Sequence, residues 1–399
     1  MNKVARHLRE MSLELQAFAQ RRYPSFVTAR SGDLERDDVP VFVYHSFEPS
    51  LFEAQLAYLA ANHYRTVTVD EFHSHLSAAM RLPEKSVLLT IDDGRSSVWT
   101  YAYPLLKKYK FTATVFLIPG YTKEETDYRP NLDDYWSKKA SREQVSDRDK
   151  SAHPLLTWTE IVAMHNSGVI DFQSHSLYHH KIFTGPRIVD FFGPDSDQPL
   201  YDLPLPYQCE GTFQWGRREE FFGMPIYANQ PLLSGQVRYL DDDELRYECM
   251  NFAQRSDWIK TTAQQTKAAL FRLTQKYRST HGLRGRRATP RERDAEVLDN
   301  FKQSKRLIDE RLNKEVRHFC YPYGVGSPVA VSMAKEAGYA TNFWTTLKNR
   351  RTNLPGDDPF YCTRVKNDFI FRLPGEGRKS LRDIFTLKLQ RRVRGEAVY

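Results

Sequence analysis

The stretch Ser86-Val87-Leu88-Leu89-Thr90-Ile91-Asp92-Asp93-Gly94 constrains this chain more than any other. An apolar run rich in β-branched residues stops abruptly at two adjacent carboxylates and a glycine. Such a run reads as a strand buried on both faces of a parallel sheet, delivering the side chains at its carboxyl end to a site. Neighbouring carboxylates repel, so the pair is stable there only when a cation or a proton separates their roles.

The flanking sequence repeats this strand-then-helix rhythm. Val41–His45 reads as a buried strand followed by a helix over Ser50–Asn62. Thr66–Val69 is strand-like, and Asp70 is the expected cap of a helix containing Phe72, Leu76 and Met80. Ala113–Leu117 and Val169–Gln173 are further strands, with a helix over Thr157–Asn166 between them. From Lys181 to about Pro290 the rhythm breaks, and it resumes with a charged helix over Glu292–Leu312. Strand candidates follow at Val316–Tyr321, Tyr339–Trp344 and Tyr361–Val365. Strands alternating with helices at this pitch predict a parallel α/β architecture.

Composition removes several classes of function. The 58 basic and 50 acidic residues leave a net charge of +8, spread along the chain, without the dense basic stripe of a nucleic-acid binder. Cys209, Cys249, Cys320 and Cys362 form no C-x-x-C pair, which argues against a disulfide framework or a zinc–thiolate site. No run reaches the ~20 apolar residues of a membrane span. Met1–Arg22 has no continuous apolar core of a secretory signal. The expectation is a cytoplasmic protein. Val4, Leu8, Met11, Leu15 and Phe18 recur at helical spacing, which predicts a docked helix, with peripheral membrane contact as the sharper alternative.

Three features end successive predicted strands: Asp92-Asp93, His175-Ser176-Leu177-Tyr178-His179 and Tyr321-Pro322-Tyr323-Gly324. In a closed parallel barrel all strand carboxyl ends meet on one face, so these features would converge. Histidines spaced i, i+4 share one face of a helical turn and can reach one metal ion. One carboxylate added to them makes a two-His, one-carboxylate site and leaves the second aspartate free to act as a base.

Thr90-Ile91-Asp92-Asp93-Gly94, His175-Ser176-x-x-His179 and Phe319-Cys320-Tyr321-Pro322-Tyr323-Gly324 together resemble the motifs of the polysaccharide deacetylases, carbohydrate esterase family four. The resemblance covers roughly Pro40–His180 and Asn300–Val365. It implies a distorted (β/α)7 barrel with a large insertion between strands. It also implies that Asp93, His175 and His179 hold a divalent metal, usually zinc, that Asp92 is the general base, and that the backbone N–H of Tyr323 stabilises the oxyanion. The implied reaction is hydrolysis of an N-acetyl (or O-acetyl) group on a sugar, with release of acetate. The expected partner is a carbohydrate, an N-acetylated sugar or glycan precursor, with no nucleic acid and the oligomeric state open. A non-sugar amide or ester hydrolase on the same barrel and a catalytically weak glycan binder are the alternatives.

The expected layout is a helical arm and linker over 1–36, barrel segments over 37–180 and 298–372, an insertion over 181–297 and a basic tail over 373–399. Cys320 stands where the family carries an arginine that orients the base, and Arg364 is the candidate substitute. No histidine follows His318, so the family's usual late acid is missing, and its D-x-x-D-W motif is absent. His45, Tyr321, Trp344 and Arg364, at or near the predicted strand ends, are the expected substrate contacts.

Overall fold

The β-branched runs become strands because extended backbone relieves the crowding that such side chains suffer in a helix. The computed structural model describes residues 12–30, 32–145, 154–196, 200–206, 218–255 and 262–394. In chain order the strands are β1 (Val41–Tyr44), β2 (Arg65–Thr66), β3 (Ser86–Ile91), β4 (Ala113–Leu117) and β5 (Ile170–Ser174). There follow β6 (Lys181–Phe191), β7 (Pro225–Pro231), β8 (Tyr239–Leu240), β9 (Arg286–Arg287), β10 (His318–Cys320), β11 (Thr341–Phe343) and β12 (Val365–Lys366). Two compact units result, one taking the chain to His175, Ser304–Gly324 and Gly338 onward, the other Ser176–Gln303 and Val325–Ala337.

The first unit is the distorted β/α barrel. Its strands run parallel in the order β11-β10-β5-β4-β3-β1-β12, with β2 beside β3. The segment before β12 bridges Cys362 to Phe343 of β11, while β12 itself pairs with β1, so the ring closes through Cys362–Lys366. Register sets which residues leave the strands side by side. Tyr44 pairs with Ile91, Leu117 with Ser174 and Cys320 with Phe343. The next residues, His45, Asp92, His175, Tyr321 and Trp344, therefore all emerge at the carboxyl face. Val41, Leu88, Phe116, Cys320, Phe343 and Cys362 form a core with Phe72 and Leu76, so both cysteines serve as small apolar side chains.

Local chemistry moved several boundaries. The helix Val69–Leu76 is capped by Thr68 in a reciprocal box with Glu71, not by Asp70, and it stops before Met80. The expected strand at Thr66–Val69 shrinks accordingly to β2. The polar stretch from Thr122 to Ala152, expected from its composition to be a loop on the barrel rim, contains a short helix, Leu132–Trp136. The expected C-terminal tail holds a helix, Leu381–Val393, whose Lys388 is buried against Glu14 and Asp368. The expected contacts of Val4, Leu8 and Met11 lie outside the described residues. Among the described residues no helix is long and apolar enough to cross a membrane.

The second unit pairs β6 with β7 antiparallel, and β8 with β9. Phe191, Leu245, Cys249, Leu270 and Tyr277 form one of its cores against the helices Asp243–Arg255 and Ala263–His281. Phe192, Tyr201 and Tyr227 are also buried, so these aromatics of the insertion are packing groups.

The helix Trp158–Asn166 starts with a capping box in which Glu160 is wholly buried. Burial pushes the Glu160 carboxyl up to about 7, against the smaller opposing effects of the Thr157 N–H and Arg129. A folded-state value above the unfolded one means that the native state binds the extra proton, so stability is lost as pH rises from about 4.5 through 7. Glu160→Gln keeps the cap and removes this loss. In urea unfolding at pH 5 and pH 8, the wild type is expected to lose on the order of 1–3 kcal/mol more than the variant.

Candidate active site

Strand β3 ends at Ile91, and the chain turns sharply through Asp93 (φ 70) and Gly94 (φ 73). A Cβ at position 94 would lie 2.5 Å from Leu117 Cδ1 on the neighbouring strand. Positive φ and close approach together explain the glycine of the D-D-G stretch.

Asp92 is almost fully buried, and both its oxygens are held by Arg364: Nη1 donates to Oδ1 at 2.7 Å and Nη2 to Oδ2 at 2.8 Å. The guanidinium is fixed in turn by its Nε donating to the Trp344 carbonyl at 2.8 Å. The Cys320 thiol sits 3.6 Å from each Asp92 oxygen as a weak donor. Burial alone would raise Asp92, but Arg364, with His175 and His45 behind it, holds the carboxyl far below the usual carboxylate range. Burial pushes the Cys320 thiol well up, so it stays protonated. The arginine that holds Asp92 thus comes from the residue just before β12, and not from the segment around Cys320.

His45 Nε2 lies 3.8 Å from Asp92 Oδ2, with 27% of its side chain exposed. Burial holds its imidazole below the ordinary histidine value, although Asp93 and Asp92 pull the other way.

Asp93 faces elsewhere. Its Oδ2 accepts from Arg95 Nε at 3.2 Å, and its Oδ1 lies 3.7 Å from His175 Nε2. His175 Nδ1 is 2.8 Å from the Cys320 carbonyl, which can only accept. That contact places the ring proton on Nδ1 and turns the Nε2 lone pair toward Asp93, the arrangement expected of a metal-binding histidine. Asp93 and His175 are therefore suited to a divalent cation, in keeping with a metal centre of the Asp/His type.

The histidine segment is not the helical turn that its spacing predicts. Ser176 (φ 68) and His179 (φ 56) are left-handed, and the Ser176 hydroxyl accepts the His179 N–H at 3.0 Å. Within its own unit His179 is buried, with Nδ1 3.4 Å from Asp202 Oδ1. Asp202 escaped the sequence reading because no spacing ties it to His179. His180 turns to Arg238, whose Nη2 is 3.3 Å from its Nε2.

Tyr323 is left-handed at φ 60 in the turn Pro322–Gly324. Asp93, Ser176, His179 and Tyr323 all hold a conformation that costs a non-glycine residue of order 1–3 kcal/mol, and such outliers gather where geometry serves function. The structure corrects two expected substrate contacts. Tyr321 is fully buried, with its hydroxyl accepting from Asn342 Nδ2 at 2.7 Å, and Arg364 is committed to Asp92. Neither offers a free face. Trp344, 8% exposed, stacks on Tyr361 with centroids 5.5 Å apart and donates Nε1 to the Phe360 carbonyl at 2.8 Å.

Residues 79–190, which include Asp92, Asp93, His175 and His179, match the family model described as polysaccharide deacetylase. A poly-beta-1,6-N-acetyl-D-glucosamine N-deacetylase of Staphylococcus aureus strain MRSA252 is 28% identical over 138 residues, 35% of this chain and 39% of that relative. The chain thus spans about two fifths of the length of that curated relative. A solved de-N-acetylase from Aggregatibacter actinomycetemcomitans superposes with a TM-score of 0.50 at 16% identity, covering 88% of this chain and 99% of that one. At that identity the likeness is one of fold.

Proposed function

We propose that this chain, whose residues 79–190 match the polysaccharide deacetylase family model, hydrolyses the N-acetyl group of a sugar in a glycan, releasing acetate and leaving the amine. The observation that carries the reading is the division of the Asp92-Asp93 pair: one carboxylate is gripped by Arg364, the other turned to His175.

We assign Asp93 and His175 as holders of a divalent metal, with His179 as the third ligand that the resemblance of His175-Ser176-x-x-His179 to the family motif implies; zinc suits one carboxylate and two imidazoles. When bound, such an ion supplies Lewis-acid polarisation of the acyl oxygen and acidifies water. Asp92, kept ionised and oriented by the Arg364 fork, takes the proton of the attacking water as its oxygen bonds to the acyl carbon. The N–H of Tyr323 is assigned to the negative oxygen that forms. Collapse breaks the C–N bond, and the departing nitrogen needs a proton. His45 Nε2 lies 3.8 Å from Asp92 Oδ2 on a partly exposed side chain, so the proton gained by Asp92 passes to His45 and on to the amine.

His45→Gln is expected to lower kcat for an N-acetyl sugar about 10²–10⁴-fold. The same variant should lose far less on an acetate ester with a good leaving group, which needs no proton. A comparison of the two substrates checks this. The activity itself is tested by acetate release from zinc- or cobalt-loaded protein on N-acetylglucosamine oligomers. Release supports the reading; metal-loaded protein that frees no acetate from any of them overturns it.

A further inference from the structure

The rim segment after β4 carries aromatic surface that this chemistry leaves unused. Tyr128, Tyr135 and Trp136 are 59%, 43% and 43% exposed. Tyr128 stacks on Trp99, with centroids 5.6 Å apart and planes at 21°, and Trp99 stacks on Tyr103 at 5.7 Å and 15°. Trp99 and Tyr103 are nearly buried, so Tyr128 is the outer leaf of a three-ring stack.

The surface is held rigid. Trp99 Nε1 donates to the Arg129 carbonyl at 2.6 Å, and Arg129 Nε donates to Glu125 at 3.2 Å. The Thr159 hydroxyl donates to the Glu125 carbonyl. Asn131 caps the helix Leu132–Trp136 in a reciprocal box with Asp134, and Asp133 pairs with Lys107. The Lys107 ammonium lies 4.5 Å from the Tyr103 ring centre and that of Lys108 5.5 Å from Trp136, so charge rims the rings. Fixing exposed aromatics in this way lowers the entropy lost on binding.

Position ties the platform to the site. Trp99 lies on the π-helical turn Val98–Ala102 that begins just beyond Asp92-Asp93-Gly94, and the segment leaves β4, the neighbour of β3, at its carboxyl end. A pyranose ring offers a flat C–H face edged by hydroxyls, which suits an isolated aromatic face with a polar rim. A lipid or protein partner would call for a broader continuous apolar patch.

We propose that Tyr128 on its Trp99–Tyr103 stack, with Tyr135 and Trp136, is a binding subsite for sugar units of the glycan remote from the unit that reacts. The proposal rests on the carbohydrate reading above and adds that longer chains are preferred. The test compares N-acetylglucosamine dimers and hexamers on wild type, Tyr128→Ala, Tyr128→Phe and Trp136→Ala. Tyr247→Ala, equally exposed at 59% but in the other unit, is the control. Tyr128→Ala and Trp136→Ala should each lower the hexamer-to-dimer ratio of kcat/KM by roughly 5–10-fold, Tyr128→Phe should restore it, and Tyr247→Ala should leave it unchanged. Ratios unaltered in both alanine variants overturn the subsite. If the wild type frees no acetate, the activity reading fails by itself. The same unhydrolysed oligomers then decide the subsite by calorimetry, with weaker hexamer binding in the alanine variants supporting it and equal binding overturning it.

Discussion

Asp92→Asn is expected to lower kcat for N-acetyl hydrolysis by about 10²–10⁴-fold, with a much smaller change in KM. The asparagine keeps the shape of the side chain and loses the ability to accept a proton. Arg364, nearly buried, then faces a neutral amide, so stability should fall as well. Steady-state kinetics together with thermal unfolding separate the two effects, because a folded variant below its Tm that still fails to turn over has lost the base.

The second large effect is expected at Arg364. Arg364→Met leaves the Asp92 carboxylate buried without its cation, a change that costs about 3–5 kcal/mol in comparable buried pairs. Removal of the cation also raises the affinity of Asp92 for protons, so the acid limb of the pH–rate profile should move to higher pH. Arg364→Lys keeps the charge but not the two-pronged fork, and should recover stability better than rate. The double variant Asp92→Asn/Arg364→Met should be more stable than the sum of the single losses predicts, while remaining inactive. Unfolding in urea and a pH–rate series would measure all three.

The strands nearest the site were legible because β1, β3 and β4 are largely apolar runs rich in β-branched or aromatic residues, and the break from Ile91 to Asp92 marks where β3 ends. The histidine spacing was legible too, but its backbone was not. The i, i+4 rule assumes a helix, whereas the Ser176 hydroxyl captures the His179 N–H and stabilises two left-handed residues. Arg364 meets Asp92 from 272 positions away, and only the order of strands around the ring brings them together. Strand β6 was hidden because Gly185 and Pro186 interrupt its apolar pattern, and the register of β6 with β7 slips between Phe183 and Ile188. Asp70 looked like a cap, yet the Thr68–Glu71 box wins the helix start and leaves Asp70 to accept from His318 Nε2 at 3.0 Å.

The proposed mechanism stands on a division of duties between the two adjacent carboxylates. Zinc bound per chain, measured after dialysis of Asp92→Asn and of Asp93→Asn, tests it most directly. One zinc is expected to stay with inactive Asp92→Asn and to be lost from Asp93→Asn. Zinc lost from Asp92→Asn and retained by Asp93→Asn would contradict it.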